Sequence, residues 1–132
     1  MRQPTFYLTQ VRSSFTKIME TFHLHLYGPD HGPLPTSFEQ AFERLEQLPK
    51  IYLEGDGSFV WTQPGAHEQL FGMLYDAAEQ LQYVELRGQC SVAIWQQLID
   101  ALRGGENYDL AVFRLPQRQW QDLQTFEETT LG

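Results

Sequence analysis

The chain has little cysteine, few basic residues and no cluster of positive charge. Cys90 is the one cysteine among 132 residues, which excludes an intrachain disulfide and a four-thiolate zinc site. Nine Lys and Arg stand against 17 Asp and Glu, and the net charge is −8. Proteins that bind duplex nucleic acid usually place several basic side chains on one face, so we expect no nucleic-acid partner for this acidic chain.

Long apolar segments are also missing. No stretch approaches the roughly 20 apolar residues of a membrane-spanning helix, and the first residues lack the apolar run of a secretory signal. We therefore expect a soluble, cytoplasmic protein with no membrane partner. A hydrophobic fraction of 42% and an aromatic fraction of 14% are typical of globular proteins. The length predicts a single domain over residues 1–132, with 1–17 and 116–132 as peripheral segments.

The first half of the chain begins with a clear strand pattern. In residues 21–27, the apolar side chains of Phe and Leu alternate strictly with those of His and Tyr, which is typical of a half-buried strand. The segment 28–35 is rich in proline and glycine and predicts a loop. Residues 36–48 then have apolar side chains at helical spacing, after two residues that can cap a helix. Pro49 ends this helix.

The stretch 51–102 organises the rest of the predicted fold. Strands at 51–54 and 58–62 flank a Gly-Asp-Gly turn, which is a hairpin signal. A helix is predicted next, starting near Pro64, since its apolar residues follow a helical stripe. That stripe consists of Leu70, Phe71, Leu74, Tyr75, Ala78 and Leu81.

Four more elements are predicted after this stripe. A strand covers 83–87, and Ser91 caps a third helix that ends at Gly104. A last strand covers 110–115, and the tail has apolar residues at the spacing of a short docked helix. The tail residues are Trp120, Leu123 and Phe126.

The order of these elements predicts an α+β fold. The first six elements, β-α-β-β-α-β, match the ferredoxin-like sandwich, with an extra helix and strand at the carboxyl end. Crossover handedness then places the helices mainly on one face of the sheet. A fully parallel sheet is disfavoured, because the turn between the second and third strands is too short for a crossover.

Alternation along the strands predicts two different faces for the sheet. The helix side consists of Phe22, Leu24, Leu26, Ile51, Leu53, Val60, Val84 and Leu86. The open side consists of His23, His25, Tyr27, Tyr52, Glu54, Phe59, Trp61, Tyr83, Glu85 and Arg87. A bare face of this composition exceeds the apolar patch that a soluble monomer usually exposes.

Three interpretations of the open face compete. Another part of the chain covers it, or two copies pack sheet to sheet in a two-fold homodimer, or it binds a small molecule or a protein. The leading hypothesis is a non-catalytic binding or interaction module that acts through these ten residues, as a homodimer. The sequence identifies no cofactor.

The alternative hypothesis is a metal-dependent or cysteine-based enzyme. His23 and His25 are two residues apart on one strand and point to the same face, and Asp30 and His31 follow in the loop. Imidazole and carboxylate groups are good zinc ligands, so these four residues are the candidate metal site, and Glu54 or Glu85 is a candidate further ligand. Cys90 precedes a helix amino terminus, which can activate a thiol, although a small buried residue is the simpler interpretation.

Overall fold

The computed structural model describes residues 20–62 and 68–131, and the predictions for 1–17 lie outside these ranges. The strands are β1 (Phe22–Tyr27), β2 (Ile51–Leu53), β3 (Ser58–Thr62), β4 (Gln69–Ala77), β5 (Gln80–Gln89), β6 (Ala111–Arg114) and β7 (Gln119–Asp122). The α-helices are α1 (Phe38–Glu46), α2 (Val92–Arg103) and α3 (Leu123–Phe126). A short 3-10 turn (Pro29–His31) and a π-helical turn (Glu127–Leu131) complete the described elements.

The seven strands form one antiparallel sheet in the order β2-β3-β4-β5-β1-β6-β7. Strands β2 to β5 follow one another as a meander, and β1 then lies between β5 and β6. Helix α1 joins β1 to β2, and α2 joins β5 to β6. The α+β class is therefore confirmed. The ferredoxin-like arrangement is not confirmed, because the strand order is a different one.

Strand β4 replaces the helix predicted for this segment, and this difference changes the topology. Leu70 and Leu74 point into the core and are each 1% exposed, whereas Phe71, Met73 and Tyr75 alternate with them on the other face. Because both faces of the strand have apolar side chains, the same residues also fit a helical stripe. Strand β4 pairs with β3 on one side and with β5 on the other, so its backbone hydrogen-bonding groups have partners in the strand conformation.

Helices α1 and α2 form where the sequence predicts them. In α1, Ser37 and Gln40 form a capping box at the amino end. In α2, the Ser91 hydroxyl accepts a hydrogen bond from the Ile94 amide, and Gly104 ends the helix in the left-handed conformation. Together they bury the apolar side chains Ala41, Leu45, Trp95, Leu98, Ile99 and Leu102 against the sheet.

Strand β3 presents the opposite face from the one predicted. Phe59 and Trp61 are both 4% exposed and lie in the core, and Val60 lies on the other side of the sheet. All three residues are apolar, so alternation alone does not decide which face is buried. The larger rings remove more apolar area from water when they face inward, and the ring of Phe59 packs over Gly72 of β4.

The carboxyl-terminal segment divides into a strand and a helix. Trp120 lies in β7 and not in the predicted tail helix, which begins only at Leu123. Phe126 is fully buried, with ring centroids 5.3 Å from Phe22 and 4.9 Å from Trp95. Helix α3 thus packs on the same side of the sheet as α1 and α2. No helix among the described residues is long and apolar enough to cross a membrane.

Candidate functional site on the outer face of the sheet

The outer face is the side of the sheet opposite the three α-helices of the described chain. Strand register places its side chains in rows that cross the sheet, such as Phe71, Arg87 and His23. Its members are Tyr52, Val60, Phe71, Met73, Tyr75, Tyr83, Glu85, Arg87, His23, His25, Tyr27, Phe113 and Trp120.

Most of the predicted open-face residues lie on this outer face. They are His23, His25, Tyr27, Tyr52, Tyr83, Glu85 and Arg87. The prediction is wrong for Phe59 and Trp61, which belong to the core. Glu54 follows β2 in the hairpin, where its amide donates to the Ser58 carbonyl. Phe71, Met73 and Tyr75 were missed because the sequence places them in a helix.

Four rings in contact form a continuous aromatic strip across the outer face, and the strip consists of Tyr75, Tyr83, Tyr27 and Trp120. Tyr75 and Tyr83 stack with centroids 4.6 Å apart, and Tyr27 lies 5.2 Å from Tyr83. Trp120 then lies 5.2 Å from Tyr27 and stacks on His31 at 3.7 Å. Ring pairs that are offset or inclined, with centroids about 4.5–7 Å apart, attract each other. The aromatic strip therefore gives the outer face a continuous and largely apolar surface.

Beside the aromatic strip, His23, His25 and Glu85 bring three potential metal ligands together. Their ligand atoms all lie within 4.8 Å of one another. His23 Nε2 donates to Glu85 Oε2 at 2.6 Å. The second carboxylate oxygen, Oε1, accepts a hydrogen bond from the Tyr75 hydroxyl at 3.1 Å. The ring of His25 stacks on Tyr83, with centroids 4.6 Å apart.

Electrostatics favour the protonation states in which Glu85 and His25 can bind a metal ion. Burial opposes the ionisation of Glu85, but hydrogen bonds from His23 and Tyr75 outweigh it, and the pKa of the carboxyl is lowered. The pKa of His25 is lowered chiefly because burial disfavours its charged form, an effect that Glu85 opposes and His23 reinforces. At neutral pH, Glu85 is therefore an anion and His25 a neutral imidazole, as metal coordination requires.

Asp30 and His31 are not part of this cluster. Among residues 20–62 and 68–131, the one group of three or more His, Cys, Asp or Glu with ligand atoms this close is His23, His25 and Glu85. Asp30 and His31 lie in the 3-10 turn and line a separate cleft of about 830 Å³ beside Trp120. The predicted four-residue metal site is thus divided, and Glu85 takes the place of the loop residues.

Cys90 has the environment of a structural residue. It is 3% exposed and contributes to the core. Burial, with a smaller contribution from the charge of Glu68, raises the pKa of the Cys90 thiol to about 12. The thiol is therefore protonated at neutral pH, which does not favour nucleophilic chemistry.

Comparison with known proteins leaves the outer face to be interpreted from its own residues. Two features stand out on it, the aromatic strip and the His23–His25–Glu85 cluster. The first is a partly exposed apolar surface, and the second brings three potential ligand atoms together. No family model, curated protein or solved structure matches this chain.

Proposed function

We propose that the protein is a non-catalytic binding module that works as a homodimer, with two copies packed through their outer faces. The observation that carries this proposal is the aromatic strip, which lies opposite the α-helices of the described chain. Tyr75 and Trp120 of the strip are 36% and 41% exposed, and Phe71, elsewhere on the outer face, is 40% exposed. A contiguous apolar patch on a soluble protein usually marks an interaction site.

The composition of the outer face supports a protein partner. Interface cores are enriched in aromatic residues, Met and Arg, and are depleted in most charged residues. The outer face has aromatic side chains on six of its seven strands, together with Met73 and Arg87. The Arg87 guanidinium lies 5.8 Å from the centre of the Phe71 ring. Large rigid rings of this kind supply contact area at a low cost in side-chain entropy.

The outer face has charges of both signs, which a second copy of this acidic chain requires. Each chain has a net charge of −8, so two copies repel each other through most surfaces. On β5, Glu85 and Arg87 place one charge of each sign on the outer face. In a two-fold dimer this face meets its own copy, so charges of both signs make it self-complementary.

The test is the mass in solution, from light scattering after size exclusion, over a wide range of concentration. We expect the wild type to reach twice the 15.4 kDa of one chain. Phe71→Glu should give the monomer mass, because it places a charge in an apolar interface, where an unpaired charge is costly to bury.

Val92→Glu is the matched control. Val92 lies at the start of α2 on the helix side and is 42% exposed, against 40% for Phe71. This variant should remain a dimer, and circular dichroism should show both variants folded. A monomeric wild type, or a Phe71→Glu protein that stays dimeric, would contradict the homodimer and favour a different occupant of the outer face.

A further inference from the structure

We infer that His23, His25 and Glu85 form a binding site for a single divalent transition-metal ion of the zinc class. The inference does not depend on the homodimer, because all three ligands come from one chain. It keeps His23 and His25 of the site suggested by the sequence, and its third ligand is Glu85 and not the loop residues Asp30 and His31.

Strand geometry brings the three ligands together. His23 and His25 are two residues apart on β1, so their side chains leave the same face. Strand pairing places Glu85 of β5 directly opposite His25 and diagonal to His23. Neighbouring strands are about 4.8 Å apart, so side-chain rotation alone can adjust the ligand atoms around an ion. The scaffold is the paired centre of the sheet, with β4 and β6 on its two sides.

The ligand distances are close to those that zinc requires. Bonds of about 2.0–2.2 Å to nitrogen and oxygen place two ligands of a tetrahedral ion about 3.3 Å apart. The three ligand atoms lie within 4.8 Å of one another, and the closest pair, His23 Nε2 and Glu85 Oε2, is 2.6 Å apart. A bound ion would replace the hydrogen bond between His23 and Glu85. The two ligand atoms would then move slightly apart, and the side chain of His25 would move toward the ion.

The donor set selects the class of metal. Two imidazoles and one carboxylate suit zinc and other first-row transition metals, whereas magnesium and calcium prefer oxygen ligands. Three protein ligands leave a position for water or a further ligand, as in catalytic zinc sites. In the single chain the side chains of His23 and Glu85 are 36% and 30% exposed, which leaves the cluster open to solvent.

Neighbouring side chains hold the ligands in place. The Tyr75 hydroxyl donates to Oε1 of Glu85 and leaves Oε2 for the ion. Tyr83 lies against the ring of His25, with an angle of 29° between the ring planes. Partners that orient ligands in this way contribute to metal affinity. The cluster therefore has both a set of ligands and an outer layer that positions them.

The test is zinc binding to metal-free protein, purified without a histidine tag and measured by titration calorimetry. We expect one ion per chain. His23→Ala, His25→Ala and Glu85→Gln should each weaken zinc binding by about 100-fold or more. Tyr75→Phe should weaken it by about 10-fold, because this variant loses only the hydroxyl that orients the Glu85 carboxylate. Cobalt in place of zinc should give the visible absorption of a tetrahedral ion in the wild type and not in His25→Ala.

His31→Ala is the matched control, since His31 lies outside the cluster, on Trp120. It should bind zinc as the wild type does, and circular dichroism should show that each variant is folded. A wild type that binds no zinc would overturn the inference. Cluster variants that retain wild-type affinity would do the same, as would a loss of binding in His31→Ala, which would place the ion at the cleft beside Trp120.

Discussion

Gly72 leaves room for the ring of Phe59 on the buried face of the sheet. A Cβ atom at Gly72 would lie 2.0 Å from the nearest atom of that ring. Phe59 is 4% exposed and is surrounded by the core, so the ring has little room to move. A glycine inside a strand often marks such a close approach, and here it lets β3 and β4 pack together beneath the outer face.

The first prediction concerns this contact. Gly72→Ala should lower the free energy of unfolding by about 1–3 kcal/mol, the usual cost of overpacking a core. Gly55→Ala is the control, because no atom lies within 4 Å of a Cβ at Gly55, and it should change stability by less than about 0.5 kcal/mol. Urea denaturation measures both. Equal stability of the two variants would mean that the ring does not pack on Gly72.

Arg44 links the two long helices on the helix side of the sheet. Its guanidinium donates to the backbone carbonyls of Ala101 and Leu102, near the end of α2, and to the Thr36 hydroxyl just before α1. The last carbonyls of a helix lack partners within the helix. A cation at this end also interacts favourably with the helix dipole. Arg44 therefore stabilises the pairing of α1 with α2.

The second prediction concerns the contacts of Arg44 between α1 and α2. Arg44→Ala should lower the free energy of unfolding by about 1.5–3 kcal/mol, the range for hydrogen bonds to a charged group. Glu46→Ala, an exposed change on the same helix, should have little effect. Thermal and urea unfolding measure both variants. If they unfold alike, the contacts of Arg44 contribute nothing net to stability.

Local signals explain which elements the sequence predicts correctly. The capping residues Ser37 and Ser91 and the terminal Gly104 fix helices α1 and α2 through contacts within a few residues. Strand β1 is predicted by strict alternation. Strand β4 is not, because Leu70 and Phe71 lie on opposite faces and are both apolar. Its identity depends on pairing with distant strands, which a local pattern does not contain.

The candidate metal site is predictable only in part for the same reason. The shared face of His23 and His25 follows from their spacing on one strand. Glu85 joins them through the register between β1 and β5, and the sequence does not specify that register. Tyr75 reaches Glu85 only because β4 is a strand. Asp30 is near in sequence, but the loop directs it to another part of the molecule.

At the scale of the whole molecule, the sheet separates two kinds of surface. All three α-helices of the described chain pack on one face, over a core that includes Trp95 and Phe126. The outer face keeps its apolar side chains half exposed, in a chain with a net charge of −8. This exposed apolar surface is the basis of the proposed homodimer.

The most direct test of this account is the methyl resonance of Met73 on the outer face, followed by NMR during dilution. Met73 pairs with Glu85 in the sheet and lies beside the aromatic strip. In a methionine-methyl-labelled protein, with the signal assigned by Met73→Leu, we expect the resonance to shift with concentration in step with the mass. A Met73 resonance that stays constant while the mass changes would place the interface elsewhere and contradict the account.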